Sequence, residues 1–279
     1  MESISPKRSM GTESSPGKEN GVRFVDTHAH LDHERLLARE MHLMTVLSQM
    51  GIEKVIIPAI SYESSFSARE TFDSVPWIYY GPGIHPNHVP MLREMDPVCT
   101  EGLCELIQQP RTVALKTGLD YYRTTDPVQQ ARQREWFRRI LSIAQDVDLP
   151  LILHIRQAGA DAFRILKEMG SNFSGVVHCY NGTYEVAMRY ADMGLCLGLG
   201  GAVTYDLPQL RDAVARIPME QILLETDAPF VRPVSIPDGL NTPEYLPVIA
   251  ETIAELRGTT VETIAEETTR NAYRVFRFC

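Results

Sequence analysis

Residues 150–178 read PLILHIRQAGADAFRILKEMGSNFSGVVH. Two short apolar runs, "PLILHI" (150–155) and "GVVH" (175–178), bracket the stretch, and each carries a histidine at or beside its end. Between them "AGADAFRILKEMG" (158–170) places apolar residues at helical spacing and stops on a glycine. Strand, helix, strand with short joins is a parallel β-α-β unit, because parallel strands need a crossover.

The same rhythm extends in both directions. Upstream stand "VRFVDT" (22–27), "KVIIPAI" (54–60), "WIYYGPG" (77–83) and "TVALKTG" (112–118). Downstream stand "LCLGLG" (195–200) and "ILLETD" (222–227). Longer amphipathic segments such as "VQQARQREWFRRILSIAQDV" (128–147) lie between the runs. Eight strand-helix units in one series predict an α/β fold, a closed (β/α)8 TIM-type barrel. A doubly wound open sheet is the runner-up, weakened because no glycine-rich phosphate loop follows the first strand. C-terminal helices complete the chain. Thr242 caps one with Pro243 at its first position, and Gly258 stops it. The last is "VETIAEETTRNAYRVF" (261–276). No linker interrupts residues 22–279, which are expected to form the barrel domain.

Residues 1–21 are rich in Ser, Pro, Gly and charge and hold no apolar block. They predict a disordered tail rather than a signal peptide. A transit peptide fits less well, because Glu2, Glu13 and Glu19 are unwelcome in one. The formal net charge of −9 argues against gripping nucleic acid by bulk electrostatics. It leaves room for a local site that recognises phosphate. The five cysteines show no C-x-x-C spacing, so free thiols in a reducing cytoplasm are expected. No apolar run is long enough to span a membrane.

In such a barrel the chemistry sits where strands end. "DTHAHLD" after the first strand supplies His28 and His30, and residues two apart on a strand face one way. Strands five, six and eight end near His154, His178 and Asp227, and strand three runs into "GIHPNH" with His85 and His88. Alone, an H-x-H is common in surface loops, His154 could be a satisfied core histidine, and Asp227 could begin a turn. Converging on one mouth, they favour a metal centre, with ligands suited to Zn²⁺, Mn²⁺ or Fe²⁺ rather than Ca²⁺. Arg156, two beyond His154, should share that mouth and suits phosphate or carboxylate, or else a structural ion pair. His33 and His42 are expected on a solvated helix face. One residue resists this pattern: "TVALKTG" delivers Lys116, expected just before a turn at Gly118, and a buried lysine is rare unless paired or used.

"FVDTHAHLD", "GIHPNHV", "TGLDYY", "PLILHIRQAGADAF", "VHCYNGT" and "LLETDAPFVRP" together resemble TatD-type metal-dependent deoxyribonucleases of the amidohydrolase superfamily. The likeness runs in order from Val22 to about Phe276. It implies a cytoplasmic hydrolase with two divalent ions (Zn, Mn or Mg). His28, His30 and Asp227 are implied for one ion, His154 and His178 for the other. Asp227 is implied as proton acceptor. His85 and Arg156 are expected to bind the substrate. The implied substrate is a DNA end or oligonucleotide. Two departures stand out. Most members carry a glutamate in "GEIGLD" that bridges the ions, and here the aligned residue is Lys116. An ammonium has no lone pair for a metal. Lys116 is therefore expected to be carboxylated by CO₂ and to bridge as a carbamate. It could instead pair with Glu225 or Asp227 and replace one ion. Second, relatives often carry a basic "RGKRN" segment where this chain has "SIPDGLN" (235–241), which removes cations for a DNA backbone. Two alternatives follow: a carboxylated-lysine hydrolase of another ester (lactone or phosphotriester), or a degenerate metal-binding subunit acting through a protein partner. Oligomeric state has no sequence signal.

Overall fold

The computed structural model describes residues 21–91, 97–170, 173–236 and 239–278. All but Gly21 of the expected tail lies outside these residues, as do 237–238 of the neutral loop. Eight parallel strands appear in chain order: β1 (Phe24–Asp26), β2 (Ile52–Pro58), β3 (Ile78–Gly81), β4 (Leu115–Asp120), β5 (Leu151–Arg156), β6 (Gly175–Val177), β7 (Leu195–Leu199) and β8 (Ile222–Leu224). Helices fill the intervals: α1 (Glu34–Leu37), α2 (Glu40–Gln49), α3 (Tyr62–Phe72), α4 (Pro97–Ile107), α5 (Pro127–Asp146), α6 (Gly159–Met169), α7 (Tyr184–Ala191) and α8 (Pro208–Arg216). α9 (Leu246–Arg257) and α10 (Val261–Phe276) follow the last strand.

β1-β2-β3 form one sheet and β4 to β8 another. Bridges join them into a ring. Tyr80 pairs with Thr112 and Gly83 with Lys116 on one side, and Ala29 with Ala228 on the other. The chain is therefore a (β/α)8 TIM-type barrel, as its rhythm predicts. Side-chain alternation then divides the core in two. Val25, Ile56, Tyr79, Ala114, Ile152, Val176, Cys196 and Leu223, from each strand or its approach, fill the lumen. Val275 and Phe276 at the end of α10 join that cluster. Alternate residues such as Val55, Leu115, Leu153, Leu197 and Leu224 face outward against the helices.

The helix signals hold closely. α10 has the expected bounds, begun by Thr260 accepting from the Thr263 amide. Gly258 ends α9 in the left-handed conformation. Thr242 precedes a short 3₁₀ turn, Pro243–Tyr245, before α9 proper, and its side chain makes no capping bond there.

One expectation fails. Gly118 is not a turn: β4 runs through it to Asp120, with Gly118 paired to His154. Gly118 has φ 154°, and a Cβ there would lie 1.9 Å from the His154 carbonyl oxygen. Glycine is required here by close strand approach, a use that sequence reading confuses with a turn.

Candidate metal centre

Period two fixes what rises above the lumen layer. Two residues beyond Ala114, Val176 and Leu223 come Lys116, His178 and Glu225, and two beyond Ile152 comes His154. These four side chains therefore converge on the C-terminal mouth. Gly198 on β7 leaves space for them, since a Cβ there would lie 2.2 Å from Glu225 Oε2. His154 Nδ1 is 3.0 Å from His178 Nε2, and the His178 ring stacks on His28 with centroids 3.9 Å apart.

Main-chain pairing brings the β1 and β8 ends together. The Asp227 amide donates to the His28 carbonyl (2.8 Å), and the His30 amide to the Ala228 carbonyl (2.8 Å). Asp26 staples the same junction. Its Oδ1 accepts from the His28 and Thr226 amides, and its Oδ2 from the Thr226 hydroxyl at 2.6 Å. Asn241, fully buried, donates to the carbonyls of Thr226 and Phe230 and fixes the next turn. Asp227 itself sits at φ 55°, a left-handed conformation uncommon outside glycine but more open to aspartate than to most residues. Its Oδ1 lies 3.6 Å from His28 Nε2 and 3.7 Å from His30 Nε2.

Burial dominates the electrostatics. It pushes His28, His30, His85, His154 and His178 below the usual imidazole range, and the Lys116 charge lowers each further. All five are therefore neutral near pH 7, the form that can ligate metal. Burial also raises Asp227, a shift that Lys116 opposes, and lifts Glu225 well above the ordinary carboxylate range. Lys116 is fully buried and is drawn down to about 7 by burial, against the pull of Asp227 and Glu225. Its nearest polar partner is His28 Nε2 at 3.5 Å.

Among the described residues seven buried side-chain atoms have no hydrogen-bond partner, and three of them belong to candidate metal donors: His28 Nδ1, His178 Nδ1 and Glu225 Oε2. Unsatisfied polar atoms at this depth are costly. Donor atoms of His28, His30 and Asp227 lie within 4.8 Å of one another, as do those of His28, His178 and Glu225. Neutral imidazoles, a carboxylate and orphaned donors fit divalent transition metal.

The structure thus gathers His28, His30, Lys116, His154, His178 and Asp227 in one mouth. His85 joins them, its ring 4.3 Å from His154. Its Nδ1 accepts from the Asn87 amide, which leaves the Nε2 proton as a donor. Arg156 is exposed and stacks on the Tyr122 ring at 3.9 Å, with no ion pair among the described residues. His42 is exposed, whereas His33 is half-buried and caps α1 by accepting from the Arg35 amide. The solvated-face reading fails for His33 because its ring also meets Phe230 edge-on.

Sequence reasoning missed Asp120 altogether and Glu225 as a donor. Asp120 accepts from His154 Nε2 (3.2 Å), the Asn87 amide group (3.2 Å) and the Arg123 amide (2.9 Å). It orients His154 so that Nδ1 faces His178, as a carboxylate behind a ligating histidine does. Glu225 had a usable signal: it stands two before Asp227 at the end of an apolar strand.

A family model described as TatD related DNase matches residues 25–277. Among curated proteins, the chain is 34% identical over 257 residues to YabD of Bacillus subtilis, named an uncharacterised metal-dependent hydrolase. That match covers 91% of this chain and 99% of the relative. A protein of Rahnella sp. named 3′-5′ ssDNA/RNA exonuclease TatD is 32% identical, covering 81% of this chain and 88% of that one. Among solved structures, YJJV, a TatD homologue of Escherichia coli K12, superposes with TM-score 0.84 at 29% identity. It covers 92% of this chain and 99% of its own.

Proposed function

The chain belongs to the TatD-related DNase family of metal-dependent hydrolases, and on that premise we propose that it releases nucleotides from the ends of single-stranded DNA. One observation carries the reading: neutral imidazoles with orphaned nitrogens and the Asp227 carboxylate converge on the barrel mouth. His28, His30 and Asp227 would hold one divalent ion, and His154 and His178, with Glu225 close by, a second. Such ions supply Lewis acidity that activates water and stabilises charge on a phosphoryl oxygen.

The chain's own residues do the rest. Asp227 Oδ1 takes a proton from the water whose oxygen bonds to phosphorus; the bond from phosphorus to the leaving ribose oxygen breaks, and that oxygen leaves as a hydroxyl with the proton that Asp227 returns. His85 Nε2–H and the Arg156 guanidinium hold non-bridging phosphate oxygens. Asp120 keeps His154 turned toward the centre.

Lys116 supplies the missing carboxylate. It has no carboxylate within 4.0 Å among the described residues, so no ion pair with Glu225 or Asp227 holds an ammonium there. A buried amine with no ion-pair contact is pushed toward the neutral form by burial, and that form adds to CO₂. The N–C bond forms, one proton leaves, and the product is an anionic carbamate. This group would bridge the ions as the family's glutamate does. Lys116 also favours a second reading, hydrolysis of a lactone or phosphotriester. The cytoplasm suits the chain, since the described thiols Cys104, Cys179 and Cys196 are all free.

Protein stripped with chelator and reloaded with Mn²⁺ or Zn²⁺ should shorten single-stranded oligonucleotides and spare long duplex, since the sequence of segment 235–241 carries no cation for a DNA backbone. Turnover of lactones or organophosphates with no nucleic acid cleaved moves the assignment to the second reading.

A further inference from the structure

The hydrolytic step leaves two exposed rings at the mouth unused. Phe230, 48% exposed, stands three residues after Asp227. Its amide donates to the Asp227 carbonyl at 2.7 Å, and its carbonyl accepts from the buried Asn241 side chain. Its ring meets His30 and His33 edge-on, with centroids 5.8 and 5.6 Å apart. Tyr122, 54% exposed, stands two residues after Asp120 and carries the Arg156 guanidinium 3.9 Å above its ring. Asp120 ties that turn down through the Arg123 amide and His154.

A single exposed aromatic needs no explanation. This pair differs in where it sits. Phe230 follows β8 and Tyr122 follows β4, and strands four apart in an eight-membered ring stand on opposite sides of its mouth. The candidate donors lie between them. Each ring rests on backbone tied to a donor or to the residue that orients one. The described residues contain one further exposed aromatic, Tyr273, which is packed with Phe278 and Lys54 at the other end.

Resting on the nuclease reading, we infer that Phe230 and the Tyr122–Arg156 stack are platforms that take one base each, on either side of the scissile phosphate. Unpaired bases offer free π-faces, whereas the faces of paired bases are enclosed in the duplex. Stacking tolerates any sequence and needs no basic groove. It therefore suits a chain of net charge −9 with no cation in segment 235–241. The Arg156 plane adds a cation to the second platform. Affinity then depends weakly on salt and strongly on the presence of bases.

The test compares kcat and KM on a short single-stranded oligonucleotide and on the same oligonucleotide made abasic at the terminal nucleotides. The enzymes are wild type, Phe230→Leu, Tyr122→Leu and the ring-preserving Phe230→Tyr and Tyr122→Phe, each checked for thermal melting and metal content. Each Leu variant is expected to raise KM on the base-bearing strand about 5- to 150-fold, the range for one lost stack. The preference for base-bearing over abasic strand should fall by the same factor, and the ring-preserving variants should keep it. A wild-type preference that persists in both Leu variants, or an equal loss on both strands, overturns the platforms while leaving the hydrolase intact. Wild-type enzyme that cleaves no nucleic acid defeats the nuclease reading, and the platforms with it.

Discussion

Asp227→Asn should leave a folded, metal-binding protein with about 10²- to 10⁴-fold less turnover, the range for losing a general base. The substitution keeps shape and replaces a basic carboxylate by an amide oxygen too weakly basic to accept the proton. Its Oδ1 lies within 3.7 Å of both His28 and His30, so no other carboxylate is as well placed to serve both imidazoles. Folding should not suffer. Burial raises this carboxyl to about 7 in the folded chain, and Lys116 only partly opposes the shift. A raised carboxyl favours the protonated fold. Stability is therefore lost as pH climbs from the unfolded value near 3.8 toward 7, and an amide escapes that loss. Metal-free Asp227→Asn should melt no lower than metal-free wild type at pH 8. Near-native turnover in this variant would place the proton transfer elsewhere, and a lowered melting point would make the kinetic loss structural.

Lys116 divides the two ways of completing the centre. Lys116→Ala should cost more than the roughly 10- to 100-fold that mutating a residue behind a ligand costs, because here a ligand is lost. Lys116→Glu should retain activity and abolish its dependence on bicarbonate. The side chain is fully buried, beside His28, and without a carboxylate within ion-pair reach among the described residues. Recovery of metal-stripped wild type should speed up when bicarbonate accompanies the metal. If Lys116→Glu is as inactive as Lys116→Ala, and bicarbonate changes nothing in wild type, the lysine acts as an amine.

The barrel was legible because its strands are short, apolar and β-branched while its helices repeat at 3.6. "LILHIR" and "VETIAEETTRNAYRVF" declare themselves by period alone. The convergence of His28, His30, His154, His178 and Asp227 on one mouth could be read because polar residues at the ends of apolar strands have few structural uses. Asp120 could not, since its partner His154 lies on the neighbouring strand and the register that joins them is non-local. Asp26 and Asn241 were hidden for a like reason: Asp26 holds the Thr226 amide 200 residues away, and Asn241 holds carbonyls 11 and 15 residues before it. Gly118 misled because a glycine forced by strand contact and a glycine in a turn look alike in sequence. His33 became a cap because the first helix begins one residue after it, a boundary no periodicity marks.

Crystals grown with Mn²⁺ and bicarbonate, with anomalous data collected at the manganese edge, test the centre most directly. Anomalous peaks are expected among His28, His30, His154, His178 and Asp227, with planar density of three atoms beyond Lys116 Nζ. The peaks should weaken in His28→Ala and His154→Ala. A mouth without anomalous signal in fully active protein, or an unmodified Lys116 beside bound manganese, would contradict a centre completed by a carbamate.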